Sequence, residues 1–272
     1  MPNPTPFADS LAVPGWQPPR FDVTELRPRS TRYCFAVITL DEGERLRKQL
    51  QRMQPFADRI DLIVADGRST DGSTTPDRLG EANVRALIST SERGLGTAIR
   101  MALAYALCEG YEGVTLVDGN GKDGVEAVPE FISALDAGYD FVQGSRFLPG
   151  GHHEHTPLER YLGVKYVMSP ILSLGAGRRY TDVTNGFKAM SRRFLLDPRV
   201  QPLRDVFVRF NLQLYLNYRA ARLGFRVREI PVVRVYPEDG SLPTKIVHTR
   251  TKVRNVLEMA LTAAGHYNPP SR

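Results

Sequence analysis

Four short polar stretches recur along the 272-residue chain, three of them at places where an apolar run stops. Asp66-Gly67-Arg68-Ser69-Thr70-Asp71-Gly72-Ser73 follows Asp61–Ala65, Asp118-Gly119-Asn120 follows Val114–Val117, and Gly144-Ser145-Arg146 follows Asp140–Val142. The fourth extends from Asp182 to Gly186-Phe187. Short apolar runs bounded by turn formers read as buried strands. Ligands of open α/β sheets lie at the carboxyl ends of the strands. Acidic and small residues repeated there point to a nucleotide site with room for a divalent metal.

The intervening stretches fit that arrangement. Tyr33–Leu40, Leu62–Ala65, Val84–Ile88, Val114–Val117 and Phe141–Val142 are expected strands. Glu44–Met53, Gly94–Cys108 and Val125–Leu135 are expected helices. Their alternation implies a mostly parallel sheet covered on both faces. After Gly151 the alternation fails. Leu158–Leu174 is apolar and expected to break at Pro170, Val206–Leu223 reads as one long buried helix, Val227–Val235 as a strand, and Ile246–Ala264 as an amphipathic helix. No linker composition separates the halves. The expectation is one domain over 31–272, with a nucleotide-binding half at about 31–147 and an acceptor-side half at about 148–272. Residues 1–30 hold seven prolines, which forbid a regular helix or a central strand. They are expected to form an extended arm pinned by Trp16 and Phe21, or to be partly disordered.

Composition excludes some functions. With 42% hydrophobic and 24% charged residues the chain is an ordinary globular one, long enough for a sizeable core. A net charge of +6 suits nucleotides, phosphates or an acidic membrane surface, and equally plain solubility. The basic residues are scattered, without the stripe that nucleic-acid binding needs. Cys34 and Cys108 are expected as free thiols in a reducing compartment, a single disulfide being the alternative. No apolar run is long enough to cross a bilayer, and no basic-then-apolar leader opens the chain. The expected location is cytoplasmic, with any lipid acceptor met at the inner face of the membrane.

Each polar stretch has a chemical and a plainer reading. Glu42, after Asp41, ends the first strand and could accept hydrogen bonds from a ribose or base, or simply charge a helix N-terminus. Asp66 opens a stretch that could contact the nucleoside or merely form a capping turn. Arg93-Gly94-Leu95-Gly96 opens a helix whose free amides suit phosphate, although packing also explains the glycines. The missing third glycine rejects a dinucleotide fingerprint. His152-His153-Glu154-His155 lacks the helical frame of a zinc site and reads as a loop. The polar segment 236–246 reads as a lid or a surface loop.

The order of these stretches resembles the nucleotide-sugar glycosyltransferases of family 2, closest to the branch that includes dolichyl-phosphate mannosyltransferase. The resemblance covers about residues 32–250. Val37-Ile38-Thr39 resembles the family's V-I-P strand, and Asp66–Ser73 its D-D-G-S-T-D-G-S/T turn, with Gly67 and Arg68 departing from it. Asp118-Gly119-Asn120 stands at the family's Asp-x-Asp, with Asn120 for the second Asp. Gly144-Ser145-Arg146-Phe147 is similar to G-S-R-Y, and Asp182–Ala189 to D-x-x-S/N-G-F/Y-R-A.

The resemblance implies a GT-A, Rossmann-like fold with a C-terminal acceptor-side elaboration. It implies an enzyme that transfers a hexose, with inversion, from a nucleotide-diphosphate sugar to a polyprenyl-phosphate or glycan acceptor, in cell-envelope polysaccharide or glycolipid synthesis. Glu42, Asp66, Arg93, Gly94, Gly119 and Lys245 would contact the nucleotide sugar. Asp118 and Asn120 would hold Mg²⁺ or Mn²⁺, with Lys122 as a fixed charge where relatives offer another metal ligand. Arg146 and Ser145 would meet the acceptor, and Asp182 would act as base or orient it. A non-catalytic nucleotide-sugar-binding protein and a sugar-nucleotide pyrophosphorylase are the alternatives; the segment Leu40–Arg45 lacks the glycine- and lysine-rich loop expected of the latter.

Overall fold

The computed structural model describes residues 13–237 and 249–270, and its architecture is the expected mixed α/β sheet flanked by helices. In chain order the elements are β1 (Asp22–Glu25), β2 (Tyr33–Thr39), α1 (Glu44–Met53), β3 (Asp61–Asp66), α2 (Pro76–Glu81), β4 (Val84–Ser89), α3 (Leu95–Cys108), β5 (Gly113–Asp118), α4 (Val128–Asp136) and β6 (Phe141–Ser145). There follow β7 (His152–Glu154), α5 (Leu158–Gly163), α6 (Ser169–Ala176), β8 (Lys188–Ser191), α7 (Arg192–Leu196), α8 (Asn211–Arg222), β9 (Val227–Pro231), β10 (Val233–Val235) and α9 (Thr249–Ala263).

Eight strands form one sheet in the order β1-β4-β3-β2-β5-β8-β6-β9. β4, β3, β2 and β5 are parallel, as are β6 and β9, while β8 runs antiparallel to both of its neighbours. β7 and β10 make a separate parallel pair. The strands β2, β3, β5 and β6 are buried on both faces, and side-chain alternation divides the core. Along β2, Cys34 and Ala36 join the cluster under α3, α6, α8 and α9, whereas Tyr33, Phe35 and Val37 join the cluster under α1, α2 and α4. That period of two is why each strand reads as an unbroken apolar run.

The structure departs from the sequence reading in five places. Residues 22–25 are not an arm laid over the domain: β1 pairs antiparallel with β4 at the sheet edge, while Trp16 and Phe21 are buried as expected. An edge strand tolerates proline-rich flanks because one side needs no partner. Pro170 does not break its helix. Residues Val164–Met168 form a π-helical turn, and Pro170 sits in the first turn of α6, where its missing N–H does no harm. The helix expected from Val206 begins at Asn211, because the backbone at 207–208 is used elsewhere: Gly96 N–H donates to Val208 O at 3.0 Å and Arg100 Nε to Phe207 O at 3.2 Å. The strand expected over Val227–Val235 is two strands, broken at Val232 after Pro231, and each joins a different sheet. β8 lies inside a stretch read only as a motif, since four residues give too short a pattern to register. The expected strands at β2, β3, β4 and β5 agree to within a residue or two.

The glycines that open α3 serve packing. A Cβ on Gly94, whose φ is +127°, would lie 2.2 Å from Val208 O, and one on Gly96 2.5 Å from Phe207 O. Gly94→Ala is therefore expected to cost about 3 kcal/mol or more. Gly80→Ala, in α2 with open space around it, is expected to be neutral or to stabilise by up to about 1 kcal/mol. Thermal unfolding of the two variants separates a steric from a general glycine effect.

Candidate active site

Asp118 is the last residue of β5, paired in register with Ile38 of β2. The turn that follows is held from several sides. Gly119 N–H donates to Ile38 O at 2.8 Å, and Gly121 N–H to Gln49 Oε1 at 2.8 Å. Gly119 is itself a packing residue, since a Cβ there would stand 3.1 Å from Thr39 Cβ. The Asp118 side chain remains 25% exposed. Its Oδ2 accepts from Arg234 Nη2 at 3.0 Å and Asn120 Nδ2 at 3.4 Å, while no donor among the described residues reaches Oδ1. Gly186 keeps that oxygen open, because a Cβ at 186 would lie 3.0 Å from it.

One open carboxylate oxygen and a neighbouring amide fit a divalent ion of the Mg²⁺ or Mn²⁺ kind, which takes one or two protein ligands and completes its shell with phosphate and water. Among the described residues no group of three or more His, Cys, Asp or Glu side chains gathers into an all-protein metal cage.

The sequence reading missed Arg234. It lies in β10, nearly buried, and its guanidinium bridges two carboxylates, with Nη1 2.5 Å from Asp123 Oδ1 and Nη2 3.0 Å from Asp118 Oδ2. The available signal was a single arginine within Val232-Val233-Arg234-Val235-Tyr236, a charge set into an otherwise apolar strand. Next to it, Lys122 Nζ lies 5.0 Å from the centre of the Tyr236 ring, and Arg160 Nη1 donates to Tyr236 Oη at 2.8 Å. Burial together with the charge of Arg234 pushes Lys122 down to about 8. Burial raises the Tyr236 phenol, but Arg234 and Arg160 outweigh it and bring the group down to about 8. Burial likewise opposes ionisation of Asp118, yet Arg234 and Lys122 hold its carboxyl below the ordinary value. Asp123 is fully buried, which raises its carboxyl.

The residues expected to meet an acceptor form a second, closed centre. Arg146 and Asp182 make a buried bidentate pair: Nε to Oδ2 at 2.6 Å, Nη2 to Oδ1 at 2.9 Å, with Arg146 N–H also donating to Oδ2 at 3.2 Å. Burial raises the Asp182 carboxyl, but Arg146 more than offsets this and holds it below the ordinary value. Both oxygens of Asp182 are engaged by Arg146, so the base or orienting role expected for it would be exercised from within this pair. Glu229, in β9, accepts from Thr181 N–H at 2.9 Å and from the Thr181 hydroxyl at 2.9 Å, anchoring the loop before Asp182. Ser145 is fully buried, 2.6 Å from the Thr181 hydroxyl, and so braces that loop rather than facing an acceptor. Phe147, His153 and Tyr161 pack ring against ring beside Arg146.

On the nucleoside side the expected contacts are partly used within the protein. Asp66, nearly buried, accepts from Ser69 N–H at 3.0 Å, the Ser69 hydroxyl at 2.6 Å and the Thr74 hydroxyl at 3.1 Å, so it organises its turn. Asp41, at φ +52°, ties the neighbouring turn through Thr70 N–H at 2.7 Å. Glu42 pairs with Arg45 at 2.9 Å. Arg93 is exposed, and Gly94 stands beside a helix start already covered by Val208. Both follow β4, three strands and roughly 14 Å from β5. The structure does not bring them to Asp118. Lys245 lies outside the described residues. In the histidine stretch, His152 Nε2 pairs with Glu154 at 2.9 Å and His155 Nδ1 with Tyr236 O at 3.1 Å.

Two measurements check this electrostatic picture. Asp182→Asn leaves Arg146 buried without its counter-charge and is expected to cost about 3–5 kcal/mol. In the parent chain Arg146 holds the native carboxyl below its ordinary value. The pair's contribution is thus complete above the unfolded value and disappears as pH falls through the native one. Acid unfolding followed by circular dichroism is expected to lose that component in the variant. Separately, tyrosinate absorbance near 295 nm is expected to show one early step at about pH 8, absent in Tyr236→Phe.

No family model matches the chain. It is 28% identical over 228 residues to the polyprenol monophosphomannose synthase of Mycolicibacterium smegmatis, covering 82% of this chain and 84% of that protein. It is 29% identical over 212 residues to the undecaprenyl-phosphate mannosyltransferase of Micrococcus luteus, covering 77% and 86%. Among solved structures, glucosyl-3-phosphoglycerate synthase from Mycobacterium tuberculosis, in complex with Mn²⁺, uridine diphosphate and phosphoglyceric acid, superposes with a TM-score of 0.61 at 19% identity, over 88% of this chain and 80% of that one. The chain is thus similar in sequence, over most of its length, to polyprenyl-phosphate mannosyltransferases, and it shares the GT-A fold of the solved synthase.

Proposed function

We propose that the chain transfers a sugar, with inversion, from a nucleotide-diphosphate sugar to a polyprenyl-phosphate or glycan acceptor. The observation that carries this reading is Asp118 at the carboxyl end of a central strand, with one oxygen open beside Gly186 and with Arg234, Lys122 and Arg160 close by. The names of the relatives, two of them polyprenyl-phosphate mannosyltransferases, point the same way.

The reaction is a displacement. An acceptor oxygen bonds to the anomeric carbon while the bond from that carbon to the diphosphate breaks, and the bonding electrons leave with the diphosphate. A phosphate acceptor is already anionic and needs no proton removed, which suits a site whose Asp182 is locked to Arg146. Mg²⁺ or Mn²⁺, held by Asp118 with Asn120, would supply Lewis-acid stabilisation of the leaving group. Arg234 and Lys122 add fixed positive charge where negative charge develops, the kind of preorganised electrostatics that usually contributes most. Asp66 shapes the nucleoside-side turn, and Arg146 with Asp182 shapes the acceptor side.

The apolar surface favours a lipid-linked acceptor. Leu158, Leu162, Tyr166, Pro170 and Leu174 recur at every fourth residue along the rod formed by α5, the π turn and α6, and all are exposed. Leu158 and Leu174 are 70% and 86% accessible. α9 packs against α6, crossing so closely that a Cβ on Gly175 would meet Ala263 O at 2.4 Å, and it adds exposed Val253 and Leu257. No helix among the described residues is long and apolar enough to cross a membrane. Peripheral seating in the interface fits such a surface.

A panel of nucleotide sugars offered with a polyprenyl phosphate and Mn²⁺ tests the reading. One donor is expected to turn over, and Asp118→Ala to lower kcat/KM by about 10²–10³-fold. Donor binding without turnover on any acceptor would leave a binding protein. Formation of a nucleotide sugar from a sugar phosphate would identify a pyrophosphorylase.

A further inference from the structure

The Arg234 bridge raises a question that ordinary packing does not answer. A buried ion triad contributes little to stability over a well-packed apolar core of the same volume. This one also leaves Asp123 Oδ2 buried without a hydrogen-bond partner. The turn it touches is already fixed by main-chain bonds on either side of Arg234: Gly124 N–H donates to Val233 O at 2.8 Å and Val235 N–H to Lys122 O at 2.9 Å. The turn does not depend on the guanidinium to hold its position. Among the described residues, Arg234, Lys122 and Arg160 gather around Tyr236 close to the carboxylates of Asp118 and Asp123. A guanidinium between two carboxylates, at the end of the strand that carries the candidate metal ligand, stands where a second charge of a metal centre would act.

We propose that Arg234 is a resident cation of the donor site: it positions Asp118 and lends its charge to the donor's diphosphate, so that the divalent ion supplements a counter-charge already built into the protein. The proposal rests on the nucleotide-sugar reading above. It makes Asp118 a one-oxygen ligand, with Oδ2 spent on the guanidinium and Oδ1 left for an ion. It also makes Asp123 a carboxylate withheld from metal by the same guanidinium.

Calorimetry with uridine and guanosine diphosphates, in EDTA and in Mn²⁺, tests this on the full chain, alongside Mn²⁺ binding by electron paramagnetic resonance without nucleotide. The wild type is expected to bind one nucleoside diphosphate in EDTA within about tenfold of its affinity in Mn²⁺. Arg234→Gln is expected to lose about 10–100-fold of the affinity in EDTA. The same variant, with both carboxylates released, is expected to bind free Mn²⁺ about tenfold more tightly or better. Arg234→Lys is expected to recover part of the EDTA affinity, which a purely structural role does not require. A wild type that binds nucleoside diphosphate only with Mn²⁺ overturns the proposal and leaves the donor reading intact. That arm needs no variant, so a misfolded Arg234→Gln does not shield the idea. Unchanged diphosphate and Mn²⁺ affinities in a folded Arg234→Gln also overturn it. A wild type that binds no nucleoside diphosphate under either condition removes the donor reading and this proposal together.

Discussion

The candidate site depends on β8 running against its neighbours. β5 and β6 both point their carboxyl ends at the site, and β8 lies between them in the opposite sense. An antiparallel strand begins where its parallel neighbours end. The segment before Lys188 is therefore delivered to the edge occupied by Asp118 and Ser145, and with it come Asp182, Thr184 and Gly186. Had β8 been parallel, the same residues would sit at the far edge of the sheet. Main-chain pairing of Lys188–Ala189 with Leu116, Val142 and Gln143 sets the depth at which Gly186 meets Asp118.

Around that frame the protein separates two ionic centres with opposite characters. At Arg146 and Asp182 the charges are matched and sealed, each carboxylate oxygen accepting from the guanidinium. At Arg234 the cluster is open to one side, because among the described residues no donor reaches the second oxygen of Asp118. A sealed pair fixes geometry, whereas an open cluster attracts a ligand of opposite charge. Proximity links the two, since the charge of Arg234 is felt at both members of the sealed pair.

Much of this was legible in the chain. The parallel strands are apolar runs, and those signal themselves; the acidic residues at their ends named Asp66 and Asp118, while Asp182 stood out only through the resemblance of its stretch to a family motif. What escaped has physical reasons. β8 is four residues long, too short to show a period. Arg234 and Asp123 meet across 111 residues of sequence, a distance no local pattern spans. Residue type did not reveal that Asp66 and Asp182 would spend their oxygens inside the protein, because a carboxylate that organises a turn and one that binds a ligand look alike in sequence. The glycines of Arg93-Gly94-Leu95-Gly96 carried a similar ambiguity, and backbone contact with 207–208 decided it.

The position of β8 also bears on how the chain assembles. Although β5 and β6 are made early, neither pairs with the other; both wait for residues 188–191. Until those residues emerge and insert, a nascent chain carries two open strand edges facing a gap. A fragment ending near residue 147 lacks the strand that joins β5 to β6. Closing the gap needs contacts about 50–75 residues apart, which places sheet completion late in folding. The two halves are read in sequence order but are finished together.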